Sequence, residues 1–542
     1  MNYQALAELL LPNTVTTPEH YATVYPERDL PEGAQVTRIA PSPTGFIHLG
    51  NLFSALADER IARQSKGVFF LRIEDTDLKR KVDGAVEAVI SALDYFGITF
   101  DEGAEVEGDK AYGPFYQRQR EDVYKAHVKW LLQQGLAYPC FCTAEDLDEI
   151  REKQREEKLT PGYYGKWARC RDLSFEEIKE KVEAGIPFVI RMKSAGDGTQ
   201  KYTFRDSIKG EISVTANDRD EVILKSDGIP TYHFAHVIDD HLMHTTTVLR
   251  GEEWLSSLPI HLELFRMLGF KAPKYGHHAQ LMKMDNGTKR KLSKRKDPEL
   301  GLEYYRELGY HPLAVKTYLM TLLNSNFEEW LLKNPDSPIE EFKFSINKMG
   351  QSGALFDIAK LDDVSKTVIS KLSSEEFYDF LCTWAKKYRS EKAHLFADKD
   401  YVISILELCM GNGKKRRKDF VSASQSFDLL SYYFDETFAP ERDFALPEAE
   451  YKKILAAFLE TYDYADDSSA WFGKVKEIAS SFGYATDMRA YKENPDAFPG
   501  SVSDVAEALR VAVTGHRNTP DLWTIMQILG KDRVSLRIKE CI

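Results

Sequence analysis

Residues 36–51 read Val36-Thr-Arg-Ile-Ala-Pro-Ser-Pro-Thr-Gly-Phe-Ile-His-Leu-Gly-Asn51. The apolar start of this stretch predicts a strand at Thr37–Ala40, and the turn-forming residues of Pro41–Gly45 predict a loop. A helix with apolar residues along one side is expected over Asn51–Gln64. The next segment, Val68–Ile73 (VFFLRI), is continuously apolar, as are strands buried in parallel sheets. Strand, loop, helix and strand in this order predict a doubly wound, Rossmann-like parallel sheet.

Composition limits the class of protein. The chain has 542 residues, 72 Lys and Arg against 85 Asp and Glu, and 43% hydrophobic residues. This length predicts about three to five domains, and the hydrophobic content excludes a disordered chain. No run of about 18 apolar residues occurs, so we expect no membrane span. The six cysteines are too few for a disulfide scaffold, and no basic residue that would open a signal peptide precedes Arg28, which together predict a reduced, cytoplasmic protein.

The remaining sequence predicts an interrupted α/β half followed by a helical half. Residues 1–35 are expected to form an extension with one short helix. The change of pattern at 114–217 predicts an α+β insertion into an α/β domain built from 36–113 and 218–260, in which Thr231–Ile238 and Thr245–Leu249 look like strands. Beyond Pro259 a helical period is predicted. The apolar spacing of Leu522, Ile525, Met526 and Leu529, closed by Gly530, is typical of a helix.

The segment His48-Leu-Gly-Asn51 stands where a helix should begin. A helix start presents unpaired N–H groups and the positive end of its dipole, which suits phosphate. Gly50 lets a nucleotide approach the backbone, and His48 can donate a hydrogen bond to a phosphate oxygen whose charge grows during transfer. The alternative is a helix-capping loop with an incidental histidine.

A second segment, Lys289-Arg-Lys-Leu-Ser-Lys-Arg-Lys296, has six basic residues in eight. Such a run is commonly a solvated loop or a contact to a phosphate backbone. The more specific hypothesis is a mobile loop that brings Lys291 and Lys294 to a triphosphate, where a point charge stabilises the transition state.

Taken together, about 240 residues apart, these two segments resemble the class I aminoacyl-tRNA synthetases. Further segments are similar to the glutamyl-tRNA synthetases of the bacterial type: Arg38-Ile-Ala-Pro-Ser-Pro-Thr-Gly45, Leu71-Arg-Ile-Glu-Asp-Thr-Asp77, Gly113-Pro-Phe-Tyr-Gln-Arg-Gln-Arg120, Tyr232-His-Phe-Ala235, Asp239-Asp-His-Leu242 and Leu249-Arg-Gly-Glu-Glu-Trp254. The helical sequence around Val511-Ala-Val-Thr-Gly515 resembles the anticodon-binding half of that family. The resemblance implies that 114–217 binds the acceptor end, that 261–360 is a helical stem-contact region carrying the KLSKR loop, and that 361–542 is a helical anticodon-binding domain.

The resemblance also implies the reaction. It is the ATP-dependent attachment of L-glutamate to tRNA(Glu) through a glutamyl-adenylate, releasing AMP and pyrophosphate, with ATP acting as its Mg²⁺ complex. His48 and Lys294 are the expected catalytic residues. The expected ATP-binding residues are His48, Gly50, Asn51, Lys291, Ser293 and Lys294. The expected glutamate-binding residues are Arg38, Ala40, Ser42, Glu74, Tyr232 and Arg250.

The charges of the implied glutamate pocket suit its substrate. Glu74, with Tyr232 beside it, suits the α-ammonium group, and the planar guanidinium groups of Arg250 and Arg38 suit carboxylate oxygens. An arginine that binds the side-chain carboxylate would reject glutamine, because the neutral amide leaves a buried cation unpaired. The alternatives are a structural ion pair for Glu74 and a surface salt bridge for Arg250.

Three cysteines raise the question of a metal. Cys140 and Cys142 precede a charged helix and Cys170 follows it, with Tyr163 and Tyr164 nearby. Some members of the resembled family bind zinc in this region through a CxC pair, a tyrosine and a later cysteine. Structural zinc takes four ligands, usually sulfur or nitrogen, and only three such groups are evident, so three reduced buried cysteines are the alternative.

The run Lys414-Lys-Arg-Arg-Lys418 is the strongest basic patch of the helical half. We expect it on a helix, where Lys414, Lys415, Arg416 and Arg417 either contact tRNA phosphates or form a solvated helix end.

Three alternative functions stay open at this point. One is a non-discriminating enzyme that also glutamylates tRNA(Gln). Another is a tRNA-independent nucleotidyltransferase, and the third is an RNA-binding relative without catalysis. In each case the sequence predicts a monomer without membrane contact.

Overall fold

A computed structural model of the protein describes residues 1–43, 47–77, 82–108, 110–411 and 416–542. The chain divides into two compact units, Met1–Tyr304 with Lys316–Asp357 and Tyr305–Val315 with Ile358–Ile542. None of the described helices is long and apolar enough to cross a membrane. The five-part division expected from the sequence is finer than these two units and stays a prediction.

The N-terminal extension contains two helices, α1 (Tyr3–Leu10) and α2 (Pro18–Val24), where the sequence predicted one. The second is short, but Thr17 caps it with a side-chain hydrogen bond and Pro18 occupies its first turn, as is common at helix starts. After α2, the Tyr25 hydroxyl donates to the carbonyl of Gly113 at 3.0 Å. The extension is therefore part of the first unit's packed structure.

The predicted parallel sheet is confirmed. Strands β1 (Val36–Ile39), β2 (Val68–Leu71) and β3 (Glu102–Gly103) are parallel and lie in the order β1-β2-β3, with Val36 opposite Val68. Helix α3 (Leu49–Ser65) joins the first two strands, and α4 (Ala85–Tyr95) lies between the second and third. β1, α3 and β2 each overlap the segment from which they were predicted.

The inserted segment is α+β, as predicted. Its elements are α5 (Glu121–Gln133), β4 (Ala137–Cys140), α6 (Ala144–Glu156), α7 (Phe175–Glu183), β5 (Val189–Met192), β6 (Lys201–Asp206) and β7 (Gly210–Thr215), after which comes β8 (Val222–Leu224). β4, β5 and β8 form an antiparallel sheet, and β6 and β7 form a hairpin.

The chain then returns to the parallel sheet. The elements are α8 (Tyr232–Leu242), β9 (Thr247–Gly251), α9 (Leu258–Met267) and β10 (Lys274–His278). β10 pairs with β9 in parallel, and the backbone N–H of Thr246 donates to the carbonyl of Val36 at 3.0 Å. This bond places the start of β9 beside β1.

The strand predicted at 231–238 is wrong, because these residues begin α8. Their aromatic and β-branched composition favours a strand. However, Phe234, Ala235, Ile238 and Leu242 are buried at helical spacing, and Thr231 is the N-cap residue immediately after Pro230. Burial of one helical face prevails over the local preference.

The helical period predicted beyond Pro259 is interrupted by strands before Asp357. Strand β10 lies there, and so do β11 (Leu281–Asp285), β12 (Thr288–Lys291) and β13 (Ala354–Leu355), besides helices α10 (Leu302–Leu308), α11 (Pro312–Leu323) and α12 (Phe327–Lys333). These strands have polar sequences such as Lys274-Tyr-Gly-His-His278, and their pairing in the sheet is set by tertiary contacts that no local periodicity reveals.

The second unit is helical after Asp357, as predicted. Its helices there are α13 (Ile358–Ile369), α14 (Ser374–Tyr388), α15 (Lys399–Met410), α16 (Ala423–Leu430), α17 (Glu448–Thr461), α18 (Ser468–Ser481), α19 (Met488–Glu493), α20 (Val502–Thr514), α21 (Leu522–Leu529) and α22 (Lys531–Lys539). The helix predicted from the spacing of Leu522 to Leu529 is confirmed, with Gly530 at φ 82° after its last residue.

Candidate active site

One cavity of about 800 Å³ in the first unit collects nearly all the residues that the sequence placed in an active site. Its wall includes Arg38, Ala40, Ser42, His48, Gly50, Asn51, Glu74, Tyr232, Arg250, Lys291 and Lys294. Ser293, the remaining predicted ATP ligand, is not in the wall, and its backbone N–H donates to Asp297 instead. The cavity therefore joins segments that are far apart in the chain.

His48 and its neighbours form the start of α3. His48 is the N-cap residue, and its backbone N–H donates to Oδ1 of Asn51 at 3.0 Å. A Cβ at Gly50 would lie 3.0 Å from the imidazole ring, so this glycine leaves room for the histidine as well as for a ligand. Burial lowers the pKa of His48, and Lys291 acts in the same direction. The ring is thus neutral at pH 7 and can donate one N–H group.

The basic segment Lys289–Lys296 consists of the end of β12 and the turn that follows. The buried carboxylate of Asp297 organises it, accepting hydrogen bonds from Arg290 Nη1 at 2.6 Å and Nη2 at 2.8 Å, and from the backbone N–H of Ser293 at 2.8 Å. With Arg290 held in this way, the side chains of Lys291 and Lys294 line the cavity.

The two separated segments touch through the backbone. The N–H of Leu302 donates to the carbonyl of Ile47 at 3.4 Å, and His48 forms an isolated β-bridge with Gly301. Thus the chain just after the basic segment lies against the loop that carries His48.

Glu74 and Tyr232 place an acidic group and a phenol in the same wall. Burial raises the pKa of Glu74 to about 7, although Arg72 and Arg38 oppose this change. Burial, followed by the charge of Glu74, raises the pKa of Tyr232 to about 12. When Glu74 is ionised, this pair can accept hydrogen bonds from an ammonium group.

Arg38 is neutralised within the protein. Its Nε lies 3.3 Å from Oδ1 of Asp240, and Arg72 Nη1 lies 2.7 Å from the same oxygen. Burial opposes ionisation of Asp240, but Arg38 and Arg72 together hold its pKa well below the usual range. The charge of Arg38 therefore has a permanent carboxylate partner.

Arg250 has a different environment. Its Nε donates to Nε2 of His277 at 2.9 Å, its Nη1 contacts Nδ1 of His261 at 3.1 Å, and its Nη2 donates to the carbonyl of Trp254 at 3.4 Å. The guanidinium carbon lies 4.7 Å from the ring centroid of Tyr275. Within the described ranges, no carboxylate lies within 4.0 Å of this guanidinium group. A buried cation that has no carboxylate partner among the described residues therefore faces the cavity.

Sequence reasoning missed the groups behind these arginines. His236 is fully buried, with Nδ1 2.9 Å from Oδ2 of Asp240 and Nε2 2.9 Å from the hydroxyl of Tyr275. Its ring is stacked on Tyr232, with the centroids 5.8 Å apart. The signal in the sequence was the density of histidine, because seven of the 13 histidines lie between His233 and His278.

The three predicted metal ligands converge in the inserted segment. The sulfur atoms of Cys140, Cys142 and Cys170 all lie within 4.8 Å of one another, and all three thiols are free. The hydroxyl of Tyr163 is 3.3 Å from Cys142 Sγ, and it accepts a hydrogen bond from the backbone N–H of Cys170 at 3.0 Å. Three sulfurs thus lie together with one phenol oxygen beside them, and thiolate sulfur is a ligand that a tetrahedral zinc ion favours.

The basic run of the second unit is described only in part, because Lys414 and Lys415 lie outside the described residues. Helix α15 ends at Met410, and Gly411 follows at φ 68°. Arg416 and Arg417 are exposed and lie in a loop, so the helix predicted for this part of the run is wrong. Glycine ends the helix before the basic residues begin.

Comparisons with known proteins show the family of the chain. Residues 35–363 match the family model of the class I tRNA synthetase catalytic domain for glutamate and glutamine (E and Q). Residues 490–542 match the model of an anticodon binding domain.

Relatives match over nearly the whole chain. The glutamate–tRNA ligase of Acetivibrio thermocellus is 54% identical, with 99% of this chain and all of that protein covered. A glutamate–tRNA ligase of Clostridium perfringens is 51% identical over all of this chain and 99% of its own. Among solved structures, a glutamate tRNA ligase from Elizabethkingia meningosepticum in complex with its amino acid has a TM-score of 0.74 and 27% identity, covering 94% of this chain and 99% of its own.

Proposed function

The chain belongs to the glutamate–tRNA ligases among the class I tRNA synthetases, and from this premise we propose how its own residues carry out the reaction. The enzyme attaches glutamate to tRNA. The α-carboxylate of glutamate attacks the α-phosphate of ATP, which forms glutamyl-adenylate and releases pyrophosphate. A hydroxyl of the 3′-terminal adenosine of tRNA then attacks the acyl carbon and releases AMP.

We assign ATP to the part of the cavity between α3 and the β11–β12 hairpin. Phosphoryl transfer leaves little covalent chemistry to the protein, so positioning and charge stabilisation supply the catalysis. Neutral His48 donates a hydrogen bond to a phosphate oxygen at the N-terminus of α3, where the helix dipole also favours negative charge. Lys291 and Lys294 neutralise the phosphates as charge develops on the leaving pyrophosphate, and ATP brings Mg²⁺ as part of its own complex.

Glutamate occupies the part of the cavity lined by Glu74, Tyr232 and Arg250. The ionised carboxylate of Glu74 and the oxygen of Tyr232 accept hydrogen bonds from the α-ammonium group. Arg250 binds the side-chain carboxylate, because its charge has no carboxylate partner among the described residues. Arg38, paired with Asp240, supplies a neutralised part of the wall next to Ser42 and Ala40.

This arrangement accounts for rejection of glutamine. The neutral amide would leave Arg250 buried and unpaired, which costs several kcal/mol. The N–H₂ group of the amide is also a donor, so it would oppose the N–H groups of the guanidinium.

The segment that carries histidine and the separate basic segment line the same cavity, and the proposal rests on this observation. Its test is glutamylation of tRNA by the wild-type enzyme and by Lys294→Ala, with Lys289→Ala as the matched control, because Lys289 is exposed in the same basic segment and is not part of the cavity wall. We expect Lys294→Ala to lower kcat by about a hundredfold or more and Lys289→Ala to leave it unchanged. Equal activity of the two folded variants would contradict the proposal.

We further propose that Cys140, Cys142, Cys170 and Tyr163 hold a structural zinc ion in the inserted segment. The donor set supports this, since zinc favours four ligands and thiolate sulfur. When bound, the ion would crosslink β4 to the loop around Cys170, and no step of the reaction passes through it.

Elemental analysis of protein purified without added metal tests the zinc proposal. We expect one zinc per chain in the wild type and none in Cys170→Ser. Cys409→Ser, a buried cysteine outside the cluster, serves as the control and keeps its zinc. A wild-type protein without zinc would contradict this proposal and leave the assignment of the active site intact.

We take tRNA(Glu) as the nucleic-acid substrate, for a monomeric enzyme acting in the cytoplasm. Parallel glutamylation of purified tRNA(Glu) and tRNA(Gln) separates this from the non-discriminating alternative. Comparable rates with both tRNAs would replace our choice, and sedimentation of the purified enzyme tests the monomer.

A further inference from the structure

We propose that Asp206, His277 and His261 are positioning residues that hold Arg250 as a cation without a direct carboxylate partner among the described residues, and thereby set the preference for an anionic side chain. The proposal rests on the assignment of Arg250 to the side-chain carboxylate made above. Neither His277 nor His261 lines the cavity; both lie behind the guanidinium group. The role of each histidine depends on which of its two ring nitrogens bears the proton.

The tautomer of His277 follows from its two neighbours. Arginine has only donors, so Nε2 of His277, 2.9 Å from Arg250 Nε, must be the unprotonated nitrogen. Its proton is therefore on Nδ1, which lies 2.6 Å from Oδ2 of Asp206 and donates to it. A carboxylate accepts and never donates when ionised, and so Asp206 selects the tautomer that Arg250 requires.

The orientation of Asp206 is itself determined by the backbone. Its Oδ1 accepts hydrogen bonds from the N–H groups of Ile208 at 2.9 Å, Lys209 at 2.8 Å and His277 at 3.2 Å. Only Oδ2 is left to face the imidazole. Because Asp206 ends β6 in the inserted segment, that segment supplies the group that orients an arginine of the catalytic domain.

His261 repeats the arrangement on the other side. Its Nδ1, 3.1 Å from Arg250 Nη1, must accept, so its proton is on Nε2, which lies 3.0 Å from Nδ1 of His233. Burial, followed by the proximity of His236 and Arg250, holds the pKa of His261 well below its usual range, so the ring stays neutral. Both imidazoles orient the guanidinium group without adding negative charge.

Because the partners of Arg250 are neutral, they affect which ligand the arginine prefers. A guanidinium group has five N–H donors, and three are used by His277, His261 and Trp254. One donor remains on each Nη atom, and among the described residues no further acceptor takes them. A carboxylate in place of either histidine would neutralise the arginine and reduce the advantage of a charged ligand.

The conservative variant Asp206→Asn tests the mechanism. The three backbone N–H groups keep the amide oxygen in place of Oδ1, so the amide nitrogen must face His277 and donate to Nδ1. The proton of His277 then moves to Nε2, where it opposes the N–H of Arg250. We expect the KM for glutamate to rise about ten- to hundredfold while the KM for ATP stays within twofold of the wild-type value.

Two further variants separate positioning from general damage. In Asp197→Asn, the matched control, the residue precedes the same strand and also accepts backbone N–H groups, but it contacts no histidine. It should leave both KM values unchanged.

In His277→Gln the amide oxygen can reach the place of Nε2 and accept from Arg250, whereas in His277→Asn the shorter amide reaches only the place of Nδ1. We therefore expect His277→Gln to restore glutamate binding relative to His277→Asn.

The outcomes are distinct. A glutamate KM of Asp206→Asn within twofold of the wild type, or equal rises of the glutamate and ATP KM values, would overturn the inference. The proposed function is tested separately by Arg250→Leu. If that variant binds glutamate normally, the assignment of Arg250 fails, whereas a loss in Arg250→Leu without any effect of Asp206→Asn removes only the positioning role.

Discussion

Two buried arginines in one cavity differ in what surrounds them. Arg38 lies against the carboxylate of Asp240, which Arg72 also contacts, so it has an anionic partner whether or not a ligand is bound. Arg250 is held by two neutral imidazoles and a backbone carbonyl. An arginine that has a carboxylate partner stabilises the protein, whereas a buried arginine without one remains available to bind an anionic ligand. The partners of a buried cation therefore indicate its role better than its burial does.

The largest effect should come from removing the uncompensated arginine. We expect Arg250→Leu to lower kcat/KM for glutamate by about a thousandfold, because the side-chain carboxylate would be buried without a cation. The free energy of unfolding should change by less than about 2 kcal/mol, since removal of an unpaired buried charge offsets the two imidazole acceptors left without donors. Steady-state glutamylation and urea denaturation measure the two quantities.

Arg38→Leu is the natural counterpart to that variant. It leaves Asp240 with a single arginine and should destabilise the protein more than Arg250→Leu does. Should the order of the two stabilities be reversed, the distinction between compensated and uncompensated arginines would fail.

Next in size is the effect of removing the shared carboxylate. Asp240→Asn leaves Arg38 and Arg72 without the negative charge that lies 3.3 and 2.7 Å from them. We expect the free energy of unfolding to fall by about 3–5 kcal/mol, as when one partner of a buried ion pair is removed. Asp227→Asn, at an exposed turn with an ion pair of 3.6 Å to Lys225, should cost less than about 1 kcal/mol. Equal losses in the two variants would show that burial of the pair has no energetic weight.

A smaller effect is expected from the acidic group opposite Arg250. Because the pKa of Glu74 is raised to about 7, its carboxyl is neutral below that pH and can bind the ammonium group of glutamate only above it. The value of kcat/KM for glutamate should rise about tenfold between pH 6 and pH 8. Glu74→Gln should remove this dependence at a lower overall rate. A flat profile of the wild-type enzyme, or one falling with pH, would contradict this role of Glu74.

The sequence alone predicted the residues in the cavity wall better than the shape of the surrounding fold. Local motifs such as His48-Leu-Gly-Asn51 mark a helix start that follows a strand and a loop, so their positions follow from short-range chemistry. The polar strand Lys274–His278 has no such local signal. It is a strand because β9 pairs with it, and that partner is not visible in its own sequence.

The network behind Arg250 could not be predicted for a related reason. Asp206, His261 and His277 come from three separate segments, and none belongs to a motif that suggested the site. The unusual density of histidine between His233 and His278 was visible, but only the fold shows which imidazole nitrogens point at the arginine. By contrast, the sequence did indicate a tyrosine near the cysteines, and the structure identifies it as Tyr163, whose hydroxyl lies 3.3 Å from Cys142 Sγ.

The smallest expected effect extends the comparison to the surface of the second unit. Arg417 pairs with Asp419 at 2.7 Å, whereas Arg416 donates to the carbonyl of Ser370 at 2.9 Å and has no carboxylate within 4.0 Å among the described residues. If both arginines face tRNA, only Arg416 offers an unbalanced charge to a phosphate. We expect Arg416→Ala to weaken tRNA binding a few-fold and to reduce the slope of log K against log salt concentration by about one. Arg417→Ala removes a charge that Asp419 already balances, so its slope should stay closer to that of the wild type. Equal changes in slope would mean that a carboxylate in a surface ion pair, which salt screens, does not balance the charge of an arginine as a buried carboxylate does.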